Sequence, residues 1–121
     1  MKVLLPYPPS LNRIYRVGKN GVTYQPSVVK DFKALCAWLA KKEGAVIITG
    51  DVEIHATLHP KLTKKGFANK SRLDLDNVVK SVFDSFNGVC YKDDKQITKI
   101  TLEIGDPIDG GGLSVEIKPK T

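Results

Sequence analysis

The most regular pattern in the chain is the alternation of apolar and polar residues over positions 51–59, DVEIHATLH. Successive side chains of an extended chain point to opposite faces, so Val52, Ile54, Ala56 and Leu58 share one face. The polar residues between them share the other face. The pattern predicts a β-strand with one buried side.

Two other segments repeat their apolar residues at intervals of three and four, which is the spacing of a helix. The first begins at Ser27, which we predict as its N-cap, and continues to Gly44. The second covers about residues 77–86 and ends at Asn87-Gly88. The apolar positions are Val28, Phe32, Leu35, Cys36 and Leu39 in the first segment and Val79, Val82, Phe83 and Phe86 in the second. Each segment is predicted to form an amphipathic helix.

Turn-forming residues divide the rest of the chain into short strands and loops. The other predicted strands are residues 2–7, 96–104 and 113–118. Pro8 and Pro9 end the first of them, which favours an edge position in a sheet. The glycines within residues 10–25 indicate a loop or a tight hairpin. The resulting order, β-α-β-α-β-β, predicts a small single domain over residues 1–121, of the α+β class, with one mixed sheet packed against two helices.

The composition is that of an ordinary globular domain, with 41% hydrophobic and 26% charged residues. No apolar run approaches the roughly 20 residues that a membrane-spanning helix needs. The apolar stretch in the N-terminal MKVLLPYPPS is too short for a signal peptide, and its prolines fit one poorly. Cys36 and Cys90 form no CxxC motif, and Cys36 falls on the apolar side of a predicted helix. We therefore expect a buried free thiol at Cys36, a cytoplasmic location and no membrane association.

The net charge of +6 is unevenly distributed along the chain. Residues 1–72 contain 13 Lys+Arg and 4 Asp+Glu, a net charge of +9, whereas residues 73–121 contain 6 and 9, a net charge of −3. A basic segment followed by acidic residues suits a protein that binds a polyanion and presents it to carboxylates that hold a cation. A basic solvated surface explains the same distribution without any partner.

Two aspartates one residue apart precede the second predicted helix, in RLDLDNVVKSVFDSF (72–86). On an extended chain Asp74 and Asp76 project to the same side, and carboxylates that close together resist ionising unless a cation lies between them. Asp76 stands at the predicted N-cap, and Lys80 follows one turn later on the same side of the helix. Carboxylate oxygens are the ligands that Mg²⁺ prefers, and Lys80 would neutralise charge on a phosphate. The alternative is a solvated helix cap in which Lys80 only forms an ion pair.

Other metal-site patterns do not fit the sequence. An EF-hand loop beginning at Asp74 needs glycine at its sixth position, where Val79 stands. His55 and His59 are four residues apart on a predicted strand, roughly 13 Å along it, so they cannot share one ion. The carboxylates are therefore the candidate metal ligands.

A basic segment without acidic residues leads into the carboxylates. Residues 60–72, PKLTKKGFANKSR, also contain Phe67, an aromatic side chain able to stack on a base. Such a loop is usually only solvated, but beside a metal site it would bind backbone phosphates without reading the bases. The candidate DNA-binding residues are Arg13, Arg16, Lys64, Lys65, Lys70 and Arg72.

Three segments match the sequence motifs of one protein family. LPYPPSLNRIYR (5–16) is similar to an opening of Leu-Pro-aromatic-Pro-Pro-Ser-x-Asn-Arg-x-Tyr-Arg, and RLDLDNVVKSVFDSF (72–86) to a core of Arg-x-Asp-Leu-Asp-Asn-x-x-Lys-x-x-x-Asp. YKDDKQI (91–97) is similar to an Asp-Asp-x-Gln segment. Together they resemble the RusA family of Holliday-junction resolvases, over nearly all of the chain, and the combination is far more specific than any single motif.

The resemblance implies a Mg²⁺-dependent, homodimeric endonuclease that nicks two opposed strands of a four-way DNA junction, with Mn²⁺ as a possible substitute ion. The metal-binding acids of the family fall on Asp74, Asp76 and Asp94, with Asp93 as the alternative third ligand. Its essential lysine falls on Lys80. The implied catalytic residues are therefore Asp74, Asp76, Lys80 and Asp94.

Two alternative functions share these residues. A metal-dependent nuclease for other branched or flapped DNA would use the same acids and the same lysine. A non-catalytic DNA-binding domain of the same fold has no use for carboxylates that face a phosphate backbone, so the acids argue against it. The base preference at the cut and the residues of the dimer contact are left open by the sequence.

Overall fold

A four-stranded mixed sheet forms the centre of the fold. The computed structural model describes residues 1–9, 16–17, 23–24, 27–63 and 75–120, and of residues 16–17, 23–24 and 75–79 only the backbone. The sheet contains β1 (Lys2–Leu5), β4 (Val52–His59), β5 (Ile97–Ile104) and β6 (Gly112–Pro119) in the order β1-β6-β4-β5. The strand β6 runs antiparallel to both β1 and β4, whereas β4 and β5 are parallel. The mixed sheet and the edge position of β1 are as predicted.

Two helices pack on the sheet and on each other. They are α1 (Ser27–Lys42), which contacts β1, and α2 (Leu75–Ser85), which contacts β5. Both contribute side chains to one hydrophobic core with the inner faces of the strands, in which Ile54, Phe86 and Tyr91 are fully buried. The predicted α+β class and the predicted order of elements are confirmed. A small antiparallel pair, β2 (Arg16–Val17) and β3 (Thr23–Tyr24), lies in the segment predicted as a loop or hairpin.

The buried side of α1 agrees with the prediction only in part. Phe32 and Cys36 are buried as predicted, whereas Val28 and Leu35 are 51% and 42% exposed. Val29 and Ala40 are fully buried in their place, so the buried stripe is rotated from the predicted one. The prediction was wrong for Val28 and Leu35 because apolar residues lie on more than one side of this helix, and only packing in the fold selects the buried side.

The start of α2 also differs. The helix begins at Leu75, two residues earlier than the sequence pattern indicated. Asp76 is therefore the second residue of the helix and not its N-cap. Leu75 lies four residues before Val79 and so extends the apolar repeat by one turn, which the prediction of an extended chain at Asp74 and Asp76 did not include.

The outer face of the sheet carries a set of cross-strand ion pairs. Glu53 lies between Lys99 and Lys118, at 3.1 and 3.3 Å, and Lys2 lies 3.1 Å from Glu116. These pairs occupy directly opposed positions on neighbouring strands, where opposite charges stabilise a sheet. This is the polar face that the alternation in β4 predicted.

The two histidines of β4 have separate partners on that face. His55 hydrogen-bonds the carboxylate of Glu103. The ring of His59 lies 2.9 Å from the Ser114 hydroxyl and 2.8 Å from the Asp106 carbonyl oxygen. Each histidine is thus engaged in protein hydrogen bonds of its own.

Candidate active site

The Asp93–Asp94 pair belongs to a tight turn that leads from α2 into β5. Residues Asp94–Gln96 form a 3₁₀ helix, and Asp93 is its N-cap. The Asp93 carboxylate accepts a hydrogen bond from the Lys95 N–H at 2.9 Å, and Gln96 Oε1 accepts one from the Asp93 N–H at 3.1 Å. This reciprocal arrangement is a capping box. It gives Asp93 a structural role and leaves Asp94 as the next residue, in the first turn.

The Gln96 side chain attaches this turn to a distant part of the chain. Its Nε2 donates hydrogen bonds to the carbonyl oxygens of Ile48 and Gly50, at 2.8 and 2.9 Å. The Ile48 N–H donates to the Cys90 carbonyl oxygen at 2.9 Å. The turn that contains Asp94 is therefore held against the segment immediately before β4.

A second attachment joins the chain just before the Asp94 turn to α2. The Tyr91 side chain is fully buried, and its hydroxyl donates a hydrogen bond to the Phe83 carbonyl oxygen at 2.7 Å. Phe83 lies in α2, the helix on which Asp76 and Lys80 were predicted to act. The Asp94 turn thus has one connection to the sheet side of the fold and another to α2.

The carboxyl groups of Asp93 and Asp94 differ in their electrostatic environment. The hydrogen bond from the Lys95 N–H lowers the pKa of Asp93. The hydrogen bond that the two side chains share raises the pKa of Asp94, and partial burial and repulsion from Asp93 and Asp84 act in the same direction. A carboxyl group crowded by like charges is relieved when a cation binds beside it.

Asp76, Lys80 and Asp84 follow one another in α2 at four-residue intervals. Each interval advances about 6 Å along a helix and returns to the same side of it. The Lys80 side chain is exposed, and the Asp84 carboxylate forms an ion pair with Lys33 of α1 at 3.6 Å. Repulsion from Asp84 contributes to the raised pKa of Asp94, after the side-chain hydrogen bond with Asp93 and burial.

Most of the predicted DNA-binding residues lie outside the described part of the chain, together with one predicted metal ligand. These residues are Arg13, Lys64, Lys65, Lys70, Arg72 and Asp74. For Arg16, in β2, and Asp76, in α2, the structure describes the backbone alone. Their assigned roles stay predictions. Among the residues of interest, the described side chains are therefore those of Lys80, Asp84 and the Asp94 turn.

Sequence reasoning missed the residues that hold this turn in position. Tyr91 and Gln96 were part of a matched motif but were assigned no role. The spacing Asp93-x-x-Gln96 is itself a readable signal, because an N-cap aspartate followed three residues later by glutamine is a capping box. The carbonyl partners of Gln96 and Tyr91 have no such signal in the sequence.

The donor atoms of this region fit a hard divalent cation. Asp84, Asp93 and Asp94 offer only oxygen atoms, which Mg²⁺ and Mn²⁺ accept and which softer metals do not favour. Within the described residues no three His, Cys, Asp or Glu side chains are already grouped as a metal site. The Asp94 carboxylate would be this turn's contribution to the predicted metal site, whose other ligands, Asp74 and Asp76, stay predictions.

Comparison with known protein families gives a match over nearly the whole chain. Residues 6–118 match the protein-family model described as Endodeoxyribonuclease RusA. A search of curated proteins finds no match. Neither of the two helices described here is long and apolar enough to cross a membrane, and the cytoplasmic location stays a prediction.

Proposed function

Because this chain belongs to the RusA family of endodeoxyribonucleases, we propose that it resolves four-way DNA junctions by paired, Mg²⁺-dependent phosphodiester hydrolysis. Family membership confirms the resemblance found in the sequence and implies an endonuclease that acts on Holliday junctions. It also implies a general dependence on divalent metal ions. The choice of Mg²⁺, with Mn²⁺ as a substitute, and the roles in recombination and repair are parts of the proposal.

The different environments of the Asp93 and Asp94 carboxylates support the assignment of the third metal ligand. The Asp93 carboxylate already accepts the Lys95 N–H as an N-cap. The side-chain hydrogen bond with Asp93 raises the pKa of Asp94, and repulsion from Asp93 and Asp84 adds to it. This supports Asp94, rather than Asp93, as the third metal ligand beside Asp74 and Asp76.

Each side chain has a definite task in the proposed mechanism. Asp74, Asp76 and Asp94 hold the divalent ion, which supplies electrostatic stabilisation at the phosphoryl oxygens and a water of lowered pKa when it is bound. The Lys80 ammonium, on the exposed side of α2, neutralises the negative charge that develops on the phosphate or orients the attacking water. Phosphodiester hydrolysis needs these elements and no covalent enzyme intermediate.

The DNA is bound through its phosphates in this proposal. Arg13, Arg16, Lys64, Lys65, Lys70 and Arg72 supply the positive charge for that contact. Contacts of this kind position a duplex without reading its sequence. A homodimer would present two such surfaces in a fixed relation, which matches the two-fold symmetry of a four-way junction.

A nicking assay on a synthetic four-way junction tests the proposal. We expect nicks at opposed strands in Mg²⁺ or Mn²⁺ and none in EDTA. Asp94→Asn should reduce nicking by about 100-fold or more, because it removes one charged ligand. Asp93→Asn should be much milder, since asparagine is as good an N-cap as aspartate.

Three controls separate the alternatives. Circular dichroism must show that both variants fold, and a gel shift in EDTA must show that both still bind the junction. Equal cleavage of a fork or a plain duplex would indicate a broader branched-DNA nuclease or a non-specific one. Full activity in EDTA, or wild-type activity of a folded Asp94→Asn variant, would contradict the metal assignment.

A further inference from the structure

The side-chain amide of Gln96 makes four hydrogen bonds, all to backbone groups. Its Oε1 accepts from the N–H groups of Lys92 and Asp93, at 2.8 and 3.1 Å. Its Nε2 donates to the carbonyl oxygens of Ile48 and Gly50, at 2.8 and 2.9 Å. A glutamine amide has two donor hydrogens and two acceptor lone pairs, so every hydrogen-bonding position of this side chain is used.

The oxygen and the nitrogen of the amide have different roles. The Oε1 bond to the Asp93 N–H is the capping-box bond, which a glutamate forms as well as a glutamine. The two Nε2 bonds are not needed for capping, and they cross to residues 46 and 48 positions earlier in the chain. Only an amide satisfies both sets, because a glutamate would set its carboxylate against two carbonyl oxygens.

What this side chain fixes is the location of Asp94. The 3₁₀ turn consists of only three residues, and Asp94 is the first of them. The Tyr91 hydroxyl holds the start of the same segment against α2. Without the Nε2 bonds, the Ile48–Cys90 hydrogen bond and the pairing of Ile97 with Val52 would remain. The 3₁₀ turn itself would lose its two direct hydrogen bonds to Ile48 and Gly50.

We propose that Gln96 is a positioning residue for the metal site: its amide attaches the capped Asp94 turn to Ile48 and Gly50 and so sets the affinity for the divalent ion. The inference rests on the proposed function, because it treats Asp94 as a ligand. Removal of a group that orients a metal ligand from outside the coordination shell typically lowers metal affinity or activity by about 10- to 100-fold.

Two variants of Gln96 separate attachment from capping. Gln96→Glu keeps the acceptor for the capping box and loses both donors to Ile48 and Gly50. Gln96→Met has about the same length and loses all four bonds. The matched control is Ile117→Val, which removes one buried methylene from β6 and lowers stability without touching the turn.

The primary measurement is the Mg²⁺ concentration that gives half-maximal nicking of a four-way junction. We expect it to rise about 10- to 100-fold in both Gln96 variants, whereas nicking at saturating Mg²⁺ stays within a few-fold of wild type. The Ile117→Val control should keep the wild-type Mg²⁺ dependence. Junction binding in EDTA should be the same in all four proteins.

A second measurement does not depend on catalysis. Titration with Mn²⁺, followed by the loss of the free-ion signal in electron paramagnetic resonance, gives the affinity of each folded protein for the ion. We expect Mn²⁺ binding to weaken in Gln96→Glu and Gln96→Met by the same factor as the Mg²⁺ dependence of nicking. A pure stability effect would not change this affinity in a folded protein.

Three outcomes would overturn the inference. Unchanged Mn²⁺ affinity in the Gln96 variants would show that the attachment does not matter to the site. A normal Gln96→Glu variant beside a defective Gln96→Met variant would assign the effect to capping alone. Failure of both variants to fold would make Gln96 a requirement for folding. If wild type nicks no junction, the proposed function fails, and the Mn²⁺ titration still decides the inference.

Discussion

Replacing Tyr91 with phenylalanine removes one hydroxyl group from the contact between α2 and the Asp94 segment. The ring stays, so no cavity forms in the core. The hydrogen bond that disappears runs to the Phe83 carbonyl oxygen, which also accepts the Phe86 N–H at 3.3 Å. Because that carbonyl keeps a donor, the cost should be the net value of one buried hydrogen bond, about 1 kcal/mol, and not the penalty of up to about 3 kcal/mol for an unsatisfied group.

Urea unfolding measures this cost directly. With a slope of about 2 kcal/mol per molar urea, the midpoint should fall by about 0.5 M while the slope stays the same. Tyr91→Ala is the control for the ring, and its free energy of unfolding should be lower than that of wild type by about 3–5 kcal/mol. An unchanged midpoint for Tyr91→Phe would mean that the hydroxyl contributes nothing. A loss well above 3 kcal/mol would mean that more than one hydrogen bond had been removed.

The pH dependence of the stability difference between wild type and Tyr91→Phe gives an independent check on the role of the hydroxyl group. Burial raises the pKa of Tyr91 above its ordinary value, with smaller contributions from neighbouring acids. The folded state therefore retains the phenolic proton where the unfolded chain, with a pKa of about 10, has released it. The stability that Tyr91 contributes is complete below pH 10 and declines above it. The stability difference between wild type and Tyr91→Phe should narrow as the pH rises past about 10.

Three further predictions concern the site and the core. Lys80→Ala should change stability by no more than about 1 kcal/mol, as expected for an exposed charge, but should slow nicking by about 100-fold or more; nicking near the wild-type rate would make Lys80 structural. The double variant Lys64→Ala/Lys65→Ala should weaken junction binding for all sequences alike and flatten the log–log salt dependence by about one unit for each lysine that binds a phosphate in the wild type; an unchanged slope would mean that these residues do not contact DNA. Burial raises the pKa of Cys36 to about 12 and that of Cys90 to about 11, so neither thiol should react quickly with a disulfide reagent at pH 8 until the protein is unfolded; fast labelling of the native protein would contradict the buried positions.

Short-range patterns were enough to predict most of the fold. The alternation in 51–59 gave both the strand β4 and its buried face, because each side chain of a strand is assigned to a face by its neighbours alone. The two helices and the order of elements followed in the same way. The family also follows from the sequence, since its motifs are runs of adjacent residues and the family model matches residues 6–118.

Packing decided what the patterns left ambiguous. In α1 both Val28 and Val29 are apolar, and only contact with the sheet makes Val29 the buried one. At the start of α2, the alternation of Leu73, Asp74, Leu75 and Asp76 fits an extended chain, whereas Leu75 with Val79 fits a helix. The structure has the helix from Leu75. A local pattern gives the period of a helix but not the direction that it faces in the fold.

At the candidate site, the Asp93–Asp94 turn also shows which features a local sequence pattern gives and which only the tertiary structure gives. The sequence by itself determined that two adjacent carboxylates follow the predicted helix of about residues 77–86, which carries Lys80. The N-cap role of Asp93 can be read from the spacing Asp93-x-x-Gln96, but only the tertiary structure joins that turn, through Gln96, to backbone carbonyls 46 and 48 residues away. The reason is physical: a capping box closes within four residues and can be read locally, whereas the partners of the Gln96 Nε2 group come within hydrogen-bonding distance only after the chain has folded.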